Sequence, residues 1–287
     1  MEKSINTARG GVNPIKINGL VAEQISKDLA TKLLDKTFTK RDMEITLYVS
    51  NAGANETADG SRGKPFKTLK ACIDYAIKNI GSNSNLTIKF LTDYTNVEKI
   101  NITSHKFRTF TIEGETNNII LGSMNVNQSY VVLSNLTFRQ SALDVHCVYC
   151  GENANVRLEN KINIEMLANA TRQGIHAQHG KINIMPSVDL KFIGSGSPVT
   201  FIQVNMNGCI WCSANSVTID NRMTEGSFIV CNGSSYFEFI PTTFTSPPRP
   251  NGRAFSVTRN SHLSFFGKGK PANMGNTENI DQSSSIS

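Results

Sequence analysis

Three groups of side chains in this 287-residue chain have types and spacings that could do chemistry. Six cysteines include two CxxC pairs, Cys147/Cys150 and Cys209/Cys212, a spacing that on its own suggests a zinc site. Carboxylates are the second group, because cleaving a glycosidic bond needs two of them facing a sugar about 5–9.5 Å apart. The third is the single tryptophan, Trp211, whose ring could stack on a sugar or seal a contact between subunits. The five histidines, His105, His146, His176, His179 and His262, come with no Ser/His/Asp order and no phosphate-binding glycine loop. Which of these groups can act together depends on the elements that carry them.

Those elements repeat. From Val148 to Phe266 one phrase recurs five times: an apolar pair, a turn, and a second pair written apolar-polar-apolar. The second pairs are Val156/Leu158, Ile182/Ile184, Ile210/Cys212, Phe237/Phe239 and Leu263/Phe265, spaced by 26, 28, 27 and 26 residues. The pairs before the turn, Val148/Cys150, Ile175/Ala177, Ile202/Val204, Ile229/Cys231 and Phe255/Val257, keep step with them. A third register runs through Leu86/Ile88, Phe110/Ile112, Leu136/Phe138, Ile162/Ile164, Val188/Leu190 and Val217/Ile219. Alternation of this kind turns one face of a short strand inward. Three strands per period, with Asn, Gly and Ser at the corners, describe a coil of stacked rungs about 4.8 Å apart. The expectation is an all-β fold, a parallel β-helix of about seven rungs, wound right-handed as crossover connections prefer. Ile112, Phe138, Ile164 and Leu190 are expected to stack in one column. A leucine-rich repeat has a similar period, but its Leu/Asn consensus is not visible here.

Placed on rungs, the chemistry narrows. Lys89, Glu113, Arg139, Glu165, Lys191 and Asp220 follow the third register with alternating sign and read as a charge ladder. Thr87, Thr111, Thr137, Asn163, Asp189 and Thr218 form a polar outer face. The acids that remain, Asp144, Glu152, Glu159, Glu225 and Glu238, share no aligned position, so no catalytic pair emerges. Glu238 is the one acid that would serve if the chain cleaves what it binds. The outward column of the second strand reads Arg157, Asn183, Trp211, Glu238, Ser264. Trp211, Asn183 and Glu238 are therefore the glycan-binding candidates, with a subunit interface as the alternative for Trp211. Residues three apart on a strand face opposite ways, so neither CxxC pair can aim both sulfurs at one metal. Cys150, Cys212 and Cys231 read as inward-facing thiols, with Cys72 on an apolar helix face. No metal and no cofactor is expected, and the histidines share no column.

The N-terminal part does not belong to the coil. Met1–Gly19 is polar and broken by Gly10, Gly11 and Pro14, an extended arm. Val21–Phe38 is a short amphipathic helix with Ala22, Ile25, Leu29, Leu33 and Phe38 on one side, which needs something to pack on. Leu47-Tyr48-Val49 is a strand, Ser50–Lys64 a loop, and Pro65–Ile80 a helix with Phe66, Leu69, Ile73, Ala76, Ile77 and Ile80 on one face. That face would plug the open end of the coil. Basic and acidic residues number 29 and 23, a net charge of +6 spread along the chain without a basic stripe, which argues against nucleic acid. Residues 1–45 lack the apolar core of a signal peptide, and no apolar run approaches bilayer length, so a soluble protein made in a cytosol is expected.

Leu47–Lys78 resembles the N-terminal segment of pectate-lyase-like β-helix proteins, many of them bacteriophage tailspikes and tail fibres. The matching positions are Tyr48, Val49, Gly53, Asp59, Gly60, Pro65, Phe66, Thr68 and Ala71, and with the rungs the resemblance covers about Leu47 to Gly267. It implies a homotrimeric phage virion tail protein, assembled in the host cytoplasm, whose N-terminus attaches to a tail or baseplate protein. Its β-helix flank would bind a bacterial surface polysaccharide as receptor. Relatives that cleave their glycan make a polysaccharide depolymerase the first alternative, and a purely structural tail decoration the second. The chain stops soon after its last rung, without the C-terminal trimerisation domain of long tailspikes. The expected organisation is an anchor over 1–45, a strand, loop and capping helix over 46–85, the β-helix over 86–267 and a flexible tail over 268–287.

Overall fold

The structure is a computed structural model that describes residues 44–115, 118–141, 145–167, 173–194, 200–221, 227–245, 253–265, 278–280 and 284–287. The arm expected over Met1–Gly19 and the amphipathic helix expected over Val21–Phe38 lie outside the described residues. What is described is a parallel β-helix of about six turns, with every strand pair parallel. Each turn visits three faces. Face I runs from Glu44–Val49 through Asn85–Phe90, Thr109–Glu113, Lys181–Ile184, Cys209–Cys212, Tyr236–Phe239 and His262–Ser264 to Ser285–Ile286. Face II holds Tyr94–Asn96, Ile119–Leu121, Asp189–Gly194, Ser216–Asn221 and Thr243–Thr245. The long strands Tyr130–Gln140 and Asn155–Met166 bend round the corner and serve both, which joins faces I and II into one 15-stranded sheet. Face III is a separate 8-stranded sheet from Ile100–Thr103 to Glu278–Ile280.

The alternating pairs explain this shape. Val156, Ile182, Ile210, Phe237 and Leu263 stand in one column of face I, and Val148, Ile175, Ile202, Ile229 and Phe255 in one of face III. All are buried in a single apolar core, where each inward side chain rests on its equivalents above and below. The pairing extends beyond the repeat legible in the sequence, to Met124/Val126 and Ile100/Ile102 on face III. Glu278–Ile280 and Ser285–Ile286, in a stretch that reads as a tail, pair as strands on the last rungs.

The third register is corrected. Leu86/Ile88 and Phe110/Ile112 belong to face I, not face II, and Ile112 pairs with Leu133. Phe138 pairs with Ile164, and Ile164 with Phe192 rather than Leu190. The expected column of Ile112, Phe138, Ile164 and Leu190 therefore does not exist. Rungs differ in length, and one stretch, Tyr130–Gln140, carries two inward pairs, Val131/Leu133 and Leu136/Phe138. A constant spacing stepped from the first to the wrong one of these. The charge ladder breaks for the same reason, since Ile193 stands between Glu165 and Asp220 in register. Three separate contacts remain: Lys89 with Glu113 at 3.6 Å, Arg139 with Glu165 at 2.5 Å, and Lys191 with Asp220 at 3.3 Å. As solvent-facing pairs each contributes about 0–1 kcal/mol.

The cap is built as its residues dictate. The Thr68 side chain accepts from the Ala71 N–H, so the helix is Leu69–Asn79, starting later than Pro65. Phe66 precedes it, bridging to Val49 in extended conformation. Leu69, Cys72, Ile73 and Ala76 are buried in the same core as the rungs. Ile77, expected on that face, is 47% exposed, because at 3.6 residues per turn it falls at the edge of the stripe that Leu69, Cys72, Ile73 and Ala76 bury.

The corner from face III to face I repeats a left-handed residue on rung after rung. Ser104, Gln128, Asn153, His179, Met206, Asn207, Ser234, Arg259 and Asn260 all have φ between 48° and 61°. Just past it stand small residues, Ser129, Ala154, Gly180, Gly208, Ser235 and Ser261, each buried where the chain turns under its neighbour. A Cβ on Gly208 would lie 2.6 Å from the Ala177 carbonyl oxygen. Gly208→Ala is expected to cost about 1–3 kcal/mol through overpacking against backbone. Met206→Asn, at a left-handed position that Asn tolerates, is expected to gain about 1 kcal/mol. Urea midpoints moving in opposite directions check the pair; a neutral Gly208→Ala overturns the corner account.

Candidate functional site

Face I carries the predicted column. Arg157, Asn183, Trp211, Glu238 and Ser264 are register partners on successive rungs, and the side chains of Asn183, Trp211 and Glu238 are half-buried on the outer surface. Their inward neighbours, Ile182/Ile184, Ile210/Cys212 and Phe237/Phe239, hold each strand to the core, so the outward positions cannot rotate.

Two residues back along each strand lies a second outward column: Asn155, Lys181, Cys209, Tyr236, His262 and Ser285. It brings aromatic rings beside Trp211 that single-column reasoning missed. The Trp211 and Tyr236 rings lie 6.4 Å apart, and Tyr236 stacks on His262 at 5.4 Å with planes 11° apart. The signal was present in the sequence, since residues i and i+2 share a face, as in Cys209/Trp211, Tyr236/Glu238 and His262/Ser264. The result is an aromatic stripe along the coil axis over three rungs.

Polar groups border the stripe. The Tyr236 hydroxyl donates to Glu238 Oε2 at 3.0 Å, and burial together with that carboxylate pushes the phenol above its ordinary pKa. Asn183 Nδ2 donates to Asn155 Oδ1 at 3.0 Å, which leaves Asn183 Oδ1 to accept from another donor. His262 is braced by Ser285 Oγ at 2.6 Å and Ser287 Oγ at 3.2 Å. Arg157 instead turns to Glu159, with Nε 2.6 Å from Oε1. Ser264 is buried and accepts from the Ser287 hydroxyl. The arrangement can stack a flat apolar face and offer a carboxylate and a carboxamide at its rim.

It offers Glu238 no register partner with a carboxylate: the neighbours are Trp211 and Ser264. Of the other acids, Glu159 is engaged by Arg157, and Glu152 is exposed in the turn between the strands Val148–Cys150 and Asn155–Met166, off this face. Asp144 and Glu225 lie outside the described residues.

The histidines differ from their sequence reading. Although they share no column, Nδ1 of His176 lies 3.3 Å from Nε2 of His146, and Tyr149 packs against both rings. His176 and Tyr149 are register partners on face III, while His146 reaches them from just before the strand Val148–Cys150. Among the described residues, no three His, Cys, Asp or Glu side chains gather as a metal site.

No protein-family model matches the chain, and no curated protein and no solved structure matches it.

The thiols divide cleanly. Cys72, Cys147, Cys150, Cys212 and Cys231 are buried, and only Cys209 is half-exposed, beside Trp211 on the stripe. Burial pushes Cys147, Cys150 and Cys212 up to about 12 and Cys209 to about 11, while Lys181 opposes the rise at Cys209. An alkylating reagent on the folded protein is therefore expected to label Cys209 first, and all six cysteines only after unfolding. Peptide mapping checks it; early labelling of Cys212 overturns the placement of that strand.

Proposed function

We propose that this chain is a receptor-binding protein of the phage tail-fibre or tailspike kind, which holds a bacterial surface glycan along the Trp211–Tyr236–His262 stripe. The observation that supports this reading is the stripe itself: three rings on successive rungs of a rigid sheet, bordered by Glu238 and Asn183. Rings in a row along an axis with about 4.8 Å between rungs suit an extended chain of sugars better than a compact ligand. The C–H faces of the sugars would stack on the rings, and their hydroxyls would bond to the Glu238 carboxylate and the Asn183 carbonyl. Binding without cleavage is the reading favoured, since Glu238 has no carboxylate neighbour in register. In the same proposal the protein is a homotrimer in the virion, attached to a tail or baseplate protein through residues 1–45.

The test is incubation with host capsule or lipopolysaccharide, read for retention and for release of reducing ends. Retention without release is expected, and Trp211→Ala should weaken it by about 1–3 kcal/mol. The fold should survive that change, because an outward side chain leaves no cavity in the core. Release of reducing ends, lost in Glu238→Gln, replaces the binding reading with a depolymerase. Dissociation of the oligomer in Trp211→Ala moves that residue to a subunit interface. For assembly, light scattering is expected to show a trimer at micromolar concentration; a monomer, unchanged by deleting residues 1–45, removes that part of the proposal.

A further inference from the structure

A hollow of about 180 Å³ opens at the corner between faces I and II, away from the aromatic stripe. Its apolar floor is Ile119 and Leu136, both buried in the core. Its walls come from three consecutive turns: Glu115 and Asn118 from the first, Asn135 and Thr137 from the second, Lys161 and Asn163 from the third. Gly114 lets these turns close up, since a Cβ there would lie 2.3 Å from the Asn135 carbonyl oxygen. Asn135 has φ 54°, the left-handed corner at which its strand bends from one face to the next.

The hydrogen-bonding capacity left in these walls is mixed. Asn135 Oδ1 accepts the Lys161 backbone N–H, so its Nδ2 remains to donate. Asn163 Nδ2 donates to Thr137 Oγ1 at 3.1 Å, which leaves the Asn163 carbonyl as acceptor and the Thr137 proton as donor. Glu115 holds Lys89 at 2.6 Å through Oε1, and that contact lowers its pKa, leaving Oε2 as a further acceptor. Lys161 makes no ion pair among the described residues, but it stands in the field of Asp189, whose pKa it helps to lower.

The charges in the walls are balanced within the protein, Glu115 by Lys89 and Lys161 by its register partner Asp189, so neither a cation nor an anion finds an uncompensated opposite charge there. Donors and acceptors interleaved round an apolar floor match a ring of hydroxyl groups, each of which donates and accepts at once. The size fits one ring rather than two, at roughly six water volumes of ~30 Å³.

We infer that this hollow binds a single neutral sugar residue. The inference stands on its own walls and not on the stripe, so either can fail without the other. The partners are largely preset by bonds within the wall, which keeps the ordering cost of binding low.

The experiment is saturation-transfer NMR on the full chain, titrating glucose, galactose and N-acetylglucosamine to tens of millimolar, with sodium glucuronate and inorganic phosphate as charged probes. At least one neutral sugar is expected to receive saturation, and the charged probes none. Asn163→Ala and the exposed Lys161→Ala should each weaken that signal about tenfold, a change of about 1.4 kcal/mol. Circular dichroism melts confirm that both variants remain folded, and each is compared with its parent in a Trp211→Ala background, so that the stripe contributes no signal. Transfer to none of the neutral sugars overturns the inference. So does stronger transfer to glucuronate or phosphate, or a signal that survives both hollow variants.

Discussion

The structure depends on one spacing. Parallel strands joined by hydrogen bonds lie about 4.8 Å apart, and every side chain on a rung must fit its equivalents at that distance. Inward, this forces like onto like: Cys150, Ala177, Val204, Cys231 and Val257 form one buried column, and Phe192, Phe201 and Phe228 pack ring against ring across turns. Outward, the same spacing converts a sequence repeat into a surface. Residues one rung apart become neighbours, which is how Tyr236 meets His262 in register and Trp211 on the diagonal. Among the described residues, the face that carries them is made of ladder strands. Its geometry is the geometry of the ladder.

A ladder must also turn corners and begin somewhere. The corner from face III to face I uses the left-handed region at nearly every rung, mostly with Asn, Ser or Gln, and in places with bulkier residues such as Met206 and His179. Small residues follow directly because the chain is buried there, and at Gly180 and Gly208 the neighbouring backbone passes too close for a Cβ. At the beginning, the loop after the first strand folds back on it: Tyr48 N–H donates to the Gly60 carbonyl, and Phe66 N–H to the Tyr48 carbonyl. Gly60 has φ 79° and lies against Leu47, Gly53 lies under the Phe66 backbone, and Thr68 caps the helix. Tyr94 then ties the helix start to the coil, its hydroxyl accepting the Leu69 N–H at 3.0 Å. The residues that carry the family resemblance are thus occupied in closing the end of the core. That is why they speak for the fold and leave activity open.

How much was legible follows from which interactions are local. Alternation along a strand is a property of the backbone, so five inward pairs on face I, the core, the capping helix and the outward placement of Trp211, Asn183 and Glu238 were all readable in the sequence. A constant period carried these assignments from Val148 to the last rung because the rungs there vary little in length. It failed further back, where Tyr130–Gln140 carries two inward pairs, and on face II, where Leu190/Phe192, not Val188/Leu190, meets Ile162/Ile164.

What the tertiary structure alone decided is the pairing of one rung with the next and everything that depends on it. Register is set by hydrogen bonds between residues far apart in sequence and by the conformation of each corner, neither of which alternation encodes. The stripe needed that register to bring Tyr236 and His262 beside Trp211, and the hollow needed three successive turns to converge at Asn135. The approach of His146 to His176 required a chain segment to fold over an adjacent rung. By itself the sequence determined which side chains face out, because that is decided within a strand. Which of them meet was decided only when the coil closed, because that is decided between strands.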